Sequence, residues 1–135
     1  FAYNPGFTGG VFVAAGDTDG DGHADVVTGA GATGGPHVKV FSGHTGEVFF
    51  SFFAYDAAYT GGVLVAAGDL DGDGKAELVT ANNMGPTRVQ SFRDTTLLNT
   101  FTVWGNGRGT GGRVAVEDID RNGTAEILAA TGPDY

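Results

Sequence analysis

Self-similarity is the constraint that most limits what this chain can fold into. The segment GGVFVAAGDTDGDGHADVVTGA, starting at Gly9, returns as GGVLVAAGDLDGDGKAELVTA from Gly61, an offset of 52 residues. A third and more worn copy, GGRVAVEDIDRNGTAEILAA, starts at Gly111, and its first aspartate, Asp118, lies 49 residues after Asp69. A period near 50 residues marks stacked supersecondary units, since one such unit alone cannot bury its apolar face.

Within each unit, short runs of β-branched and aromatic residues are bounded by Gly, Asn, Asp or Pro, which is the pattern of strands and turns. In the first unit strands are expected near Val11–Ala15, Ala24–Thr28, His37–Phe41 and Glu47–Tyr55. An acidic loop, a Gly-rich stretch from Gly29 to Pro36 and a tight turn from Ser42 to Gly46 separate them. The second unit repeats the plan near Val63–Ala67, Ala76–Thr80, Thr87–Phe92 and Leu97–Val103. No stretch carries a useful helical period.

Four short antiparallel strands per repeat predict an all-β fold of β-propeller blades, about two and a half of them, forming an incomplete ring. Phe1-Ala2-Tyr3 matches Phe53-Ala54-Tyr55, so residues 1–8 are expected to end a preceding blade. Residues 9–60 and 61–110 then form one blade each, and residues 111–135 the first half of a third. Closed rings use about four to eight blades, and open sheet edges need cover. The expected partners are therefore other blades of the same protein, with copies of itself or an open stack as alternatives. The start at Phe1, with no basic, apolar leader before it, agrees with a chain cut from something longer.

Composition narrows the chemistry. Only seven residues are Lys or Arg against a net charge of −9, which excludes a nucleic-acid surface. There is no cysteine, so disulfides, thiolate zinc sites and cysteine nucleophiles are all excluded. The longest apolar runs fall far short of the roughly 20 residues of a membrane helix, and no membrane insertion is expected.

The acidity is concentrated: eleven of the sixteen acidic residues fall in three loops, at Asp17, Asp19, Asp21 and Asp25, at Asp69, Asp71, Asp73 and Glu77, and at Asp118, Asp120 and Glu126, with Asn122 completing the third. Carboxylates this close repel one another unless a cation lies between them. Ca2+ takes six to eight hard oxygens at about 2.3–2.6 Å. Side chains at loop positions 1, 3, 5 and 9, with the main-chain carbonyls of His23, Lys75 and Thr124 at position 7, supply most of them. Glycine at position 6 (Gly22, Gly74, Gly123) permits the sharp turn. An EF-hand would need a bidentate Glu at position 12, where this chain has Thr28, Thr80 or Ala129, and flanking helices. Magnesium fits less well, because it keeps a small octahedral shell with several waters. The competing reading is a set of plain Asp-Gly turns; three in register favour Ca2+, and the third site, with Asn122 for an acid and Arg121 beside it, is expected to bind most weakly.

The runs VAAGDTDGDGHADVVTGAG and GGPHVKVFSGHTGEVFFSF resemble the FG-GAP repeat of integrin α-subunit propellers and of many bacterial surface proteins. The resemblance spans nearly the whole chain. It implies one blade per repeat, usually in a seven-bladed ring, and a calcium-binding DxDGDGxxD loop between the first two strands of each. Gly29-Ala30-Gly31 departs from the frequent Gly-Ala-Pro, and the third unit lacks the central Asp. The GGPHVKVFSG wording is similar to bacterial cell-surface proteins, which implies an extracellular or cell-surface setting.

Other chemistry is weaker. His23, His37 and His44 have no catalytic partner at recognisable spacing and read as loop, strand and turn residues, so no enzyme is expected. Phe49, Phe50, Phe52, Phe53, Tyr55 and Tyr59 read as filling between sheets rather than as a sugar-stacking platform. Trp104, beside the Gly-rich run to Gly112, is the better candidate for an exposed contact. The leading functional expectation is a calcium-stabilised structural or adhesion module with a protein ligand; the alternative is a lectin-like propeller binding glycans between blades.

Overall fold

The structure is a computed structural model that describes residues 1–103 and 111–132. Trp104 and its Gly-rich neighbours at 105–110 lie outside the described residues. The described residues form three antiparallel sheets and no helix, so no helix among them is long and apolar enough to cross a membrane.

The first sheet is β1 (Val11–Gly16), β2 (Asp25–Ala30), β3 (His37–Phe41) and β4 (Val48–Phe53), hydrogen-bonded in chain order. The second repeats it with β5 (Val63–Gly68), β6 (Glu77–Asn82), β7 (Arg88–Arg93) and β8 (Thr96–Thr102). The third holds β9 (Gly112–Glu117) and β10 (Glu126–Thr131). The eight strands of the first two sheets are the predicted ones, shifted by a residue or two at their ends. Repetition extends to register: Gly16 pairs with Asp25, Gly68 with Glu77 and Glu117 with Glu126, so every acidic loop springs from the same end of its sheet. Even the bulge recurs, between Val40 and Phe41 in one sheet and between Ser91 and Phe92 in the next.

The sheets stack face to face without closing into a ring, as partial propeller blades do. Val27, Val38 and Val40 of the first sheet meet Val63, Val65, Leu78 and Phe92 of the second, with the Phe52 and Phe92 rings 5.1 Å apart. On its other face the second sheet presents Leu64, Ala66, Val79, Ala81 and Val89 to Val114, Val116, Ile127 and Ala129 of the third. Side chains alternate between the faces of a strand, and covering both faces explains why Val63–Ala66 reads as an unbroken apolar run. Phe49, Phe50, Phe52 and Tyr55 join the first core as expected, whereas Phe53 stands 55% exposed with its ring 5.2 Å from that of His37.

Position by position, the first sheet exposes what the second buries. Val11, Val13 and Val26 are 44%, 68% and 43% exposed, while their repeat equivalents Val63, Val65 and Leu78 are at 0%, 8% and 1%. Tyr3 reaches over this face, where its hydroxyl donates to the His37 carbonyl at 2.9 Å. Tyr55 does the same for the second sheet, donating to the Arg88 carbonyl at 2.8 Å. Burial pushes the Tyr55 hydroxyl pKa up, so it stays a donor.

If inter-sheet packing holds the units together, Leu78→Ala costs about 2–5 kcal/mol, while Leu97→Ala on the solvent-facing β8 stays within about 0.5 kcal/mol. Urea unfolding of the two variants checks this, and equal losses would contradict the packing described.

Candidate metal centres

Each acidic loop begins one residue after the first strand of its sheet and ends at the first residue of the second. The carboxylate at position 1 gathers the loop's backbone. Asp17 accepts from Gly20 N–H (2.7 Å) and Gly22 N–H (2.9 Å), and Asp69 accepts from Gly72 N–H (2.6 Å) and Gly74 N–H (2.8 Å). Asp118 accepts from Asn122 N–H (3.0 Å) and Gly123 N–H (2.9 Å). Gly22, Gly74 and Gly123 make these bonds at φ of 87°, 90° and 95°, the left-handed region that glycine alone enters freely. At position 4 the first two loops again use glycine, but the third forces Arg121 to a φ of 60°.

Position 9 locks the other end. Asp25, Glu77 and Glu126 each accept the backbone N–H of position 2, from Thr18 (2.8 Å), Leu70 (2.8 Å) and Ile119 (2.9 Å). Asp25 is fully buried and also accepts from the Thr18 hydroxyl (2.6 Å) and Gly43 N–H (3.1 Å). Burial works to raise the Asp25 carboxyl, and these donors outweigh it and hold its pKa below the usual value. Asp69 is held low in the same way, with the N–H groups of Gly74, Gly72 and Asp73 outweighing partial burial.

The loops are also joined to one another. Ala76 N–H donates to the Asp17 carbonyl at 2.7 Å, and Ala125 N–H to the Asp69 carbonyl at 2.6 Å, so position 8 of each loop bonds to position 1 of the loop before it.

This geometry brings three carboxylates together in each loop: Asp17, Asp19 and Asp25; Asp69, Asp71 and Glu77; and Asp118, Asp120 and Glu126, with one oxygen from each lying within 4.8 Å of the others. The donor set suits a hard divalent cation, being oxygen throughout with neither sulfur nor imidazole. At position 5, Asp21 and Asp73 are not members of the triads, and Asp21, Asp73 and Asn122 each accept from the backbone N–H of position 7, at His23 (2.8 Å), Lys75 (2.9 Å) and Thr124 (2.8 Å), while the Asn122 amide also donates to Asp120 Oδ2 at 3.1 Å. The His23 ring lies over that of His44, with centroids 4.8 Å apart, while His37 shares a hydrogen bond with Ser51 at 2.8 Å.

One residue of the site is absent from the sequence reading. Arg93, at the end of β7, directs its guanidinium into the second triad, bonding Glu77 Oε1 at 2.9 Å and Asp71 Oδ2. Its signal in the sequence is a break in the repeat, since the first unit has Ser42 at the same point after Phe41.

A carboxyl whose folded pKa is depressed contributes stability above its unfolded value near 4, and that contribution is lost as pH falls through the folded value. In chelator, Asp25→Asn is therefore expected to be about 1–3 kcal/mol less stable than the parent chain at about pH 7. The gap should close below about pH 4. Urea titrations across that range measure it, and a gap independent of pH would show that the Asp25 charge is not used.

Comparison with known proteins follows the repeat. The FG-GAP repeat family matches residues 9–50, and the FG-GAP-like repeat family matches residues 69–129. No curated protein sequence matches the chain. The two family matches fall on the two stretches that carry the acidic loops, and with three stacked antiparallel sheets in the same register they place the chain in the FG-GAP repeat family.

Proposed function

We propose that the chain is a calcium-stabilised structural or adhesion module of an extracellular or cell-surface protein. The observation that carries this reading is the threefold recurrence of a carboxylate triad, at equivalent positions of FG-GAP repeats. In each loop the triad is the core of the ligand set: Asp17, Asp19 and Asp25, then Asp69, Asp71 and Glu77, then Asp118, Asp120 and Glu126. Asp21, Asp73 and Asn122, together with the carbonyls of His23, Lys75 and Thr124, complete the sets. The bound ion supplies the positive charge that lets these oxygens stay close. Nothing in this reading calls for catalysis.

The third site is the weakest in this scheme. It has Asn122 in place of an acid, Arg121 strained at a φ of 60°, and a position-9 carboxylate, Glu126, that is only partly buried where Asp25 and Glu77 are buried. The unit boundaries follow the repeat, at residues 1–8, 9–60, 61–110 and 111–135. The face formed by Val11, Val13 and Val26 is the surface on which another blade of the same protein, or a copy of this chain, packs.

A lectin-like role has one observation in its favour, a cleft of about 370 Å³ between Tyr55, Tyr59, Met84 and Arg88. Its tyrosine hydroxyls are already committed, Tyr55 to the Arg88 carbonyl and Tyr59 to the Met84 carbonyl at 2.9 Å. Two of the cleft's polar groups are thus already engaged within the chain, and the threefold carboxylate recurrence favours the structural reading.

An ion that binds only the folded chain at about a hundred times its Kd adds about 2.7 kcal/mol per site. Chelation is expected to lower the Tm by several degrees or more, and Asp69→Ala combined with Asp71→Ala to reproduce part of that loss in excess calcium. Superimposable melting curves in chelator and in calcium would overturn the proposal.

A further inference from the structure

The first two loops are near copies in sequence, but their surroundings differ. Beyond β3, the Gly43 backbone N–H donates to Asp25 Oδ1 at 3.1 Å. Beyond Phe92, which pairs with Leu78 as Phe41 pairs with Val26, the corresponding stretch begins with Arg93. Its Nε and Nη2 lie 3.2 and 2.9 Å from Glu77 Oε1, its Nη2 bonds Asp71 Oδ2, and Asp73 Oδ2 is 3.5 Å away. Arg93 thus touches three acids of one loop, two of them triad members. Among the described residues no other lysine or arginine pairs with a loop carboxylate.

We propose that Arg93 is a tethered counter-cation of the second loop, which neutralises Asp71 and Glu77 while the loop is metal-free and is displaced from them when a divalent ion binds. The inference rests on the calcium reading above. A guanidinium hydrogen-bonded to Asp71 Oδ2 and Glu77 Oε1 occupies oxygens that the ion needs. Two cations sharing those oxygens also repel one another at short range. Two consequences follow. The second loop keeps its folded shape without metal better than the first, whose triad has no such partner among the described residues. It also binds the ion less tightly than its ligand set alone would give, because binding must first break the ion pairs. Arginine suits this role, being charged at every accessible pH and able to engage two carboxylates with one planar group.

The position-6 amides report each loop separately, since Gly22, Gly74 and Gly123 all donate to the position-1 aspartate. Calcium titrations of the parent chain and of Arg93→Gln, followed through these three amide resonances, test the proposal. The Gly74 midpoint is expected to fall about tenfold in Arg93→Gln, with the Gly22 and Gly123 midpoints unmoved, while Arg93→Lys, which keeps the charge but loses the planar fork, falls between the two. An unchanged or higher Gly74 midpoint overturns the proposal. If no amide of the parent chain responds, the calcium reading itself fails, and melting in chelator still decides the role of Arg93. Arg93→Gln should melt below the parent there, and an equal or higher Tm would show that the guanidinium does not stabilise the metal-free loop.

Discussion

Everything distinctive in this molecule follows from like charges held closer together than water and salt would leave them. Each loop brings three carboxylates within 4.8 Å of one another, and the backbone is shaped to do so. The position-1 aspartate is fixed by N–H groups of the turn, and the position-9 acid by the N–H of position 2. Those donors stabilise the ionised forms of Asp25 and Asp69 individually. They do not cancel the repulsion between neighbouring carboxylates, which the Arg93 guanidinium offsets in part in the second loop.

The loops are also linked along the stack, since Ala76 donates to the Asp17 carbonyl and Ala125 to the Asp69 carbonyl. The same ends of the sheets carry the loops, while the faces carry the packing, with the second sheet buried on both sides by its neighbours. The loops and the inter-sheet cores are therefore two parts of one repeated contact. The exposed Val11, Val13 and Val26 show what a blade presents when that contact is not made.

Much of this was legible in the sequence, and the reasons are physical. Strand positions could be read because apolar runs between turn residues have few other solutions, and each strand of the unit recurs at least once. The triad members at positions 1, 3 and 9 could be read because alternate spacing around a left-handed glycine turns side chains toward one centre. At position 5, Asp21 and Asp73 also accept from the backbone N–H of position 7, a local hydrogen bond that spacing alone does not reveal. Phe53 was expected among the core aromatics, but strand alternation puts it on the opposite face from Phe52. Arg93 was invisible because it enters the second site through the pairing of β6 with β7, and only the register of two strands brings it to Glu77.

The most direct measurement is anomalous diffraction from crystals grown in calcium and, separately, in a heavier lanthanide substitute. The account predicts a peak inside the triad of Asp17, Asp19 and Asp25 and another inside that of Asp69, Asp71 and Glu77, with a weaker one beside Asp118. Well-ordered loops with no peak at any of the three would mean that hydrogen bonds and Arg93 alone hold these carboxylates together, and the account would be wrong.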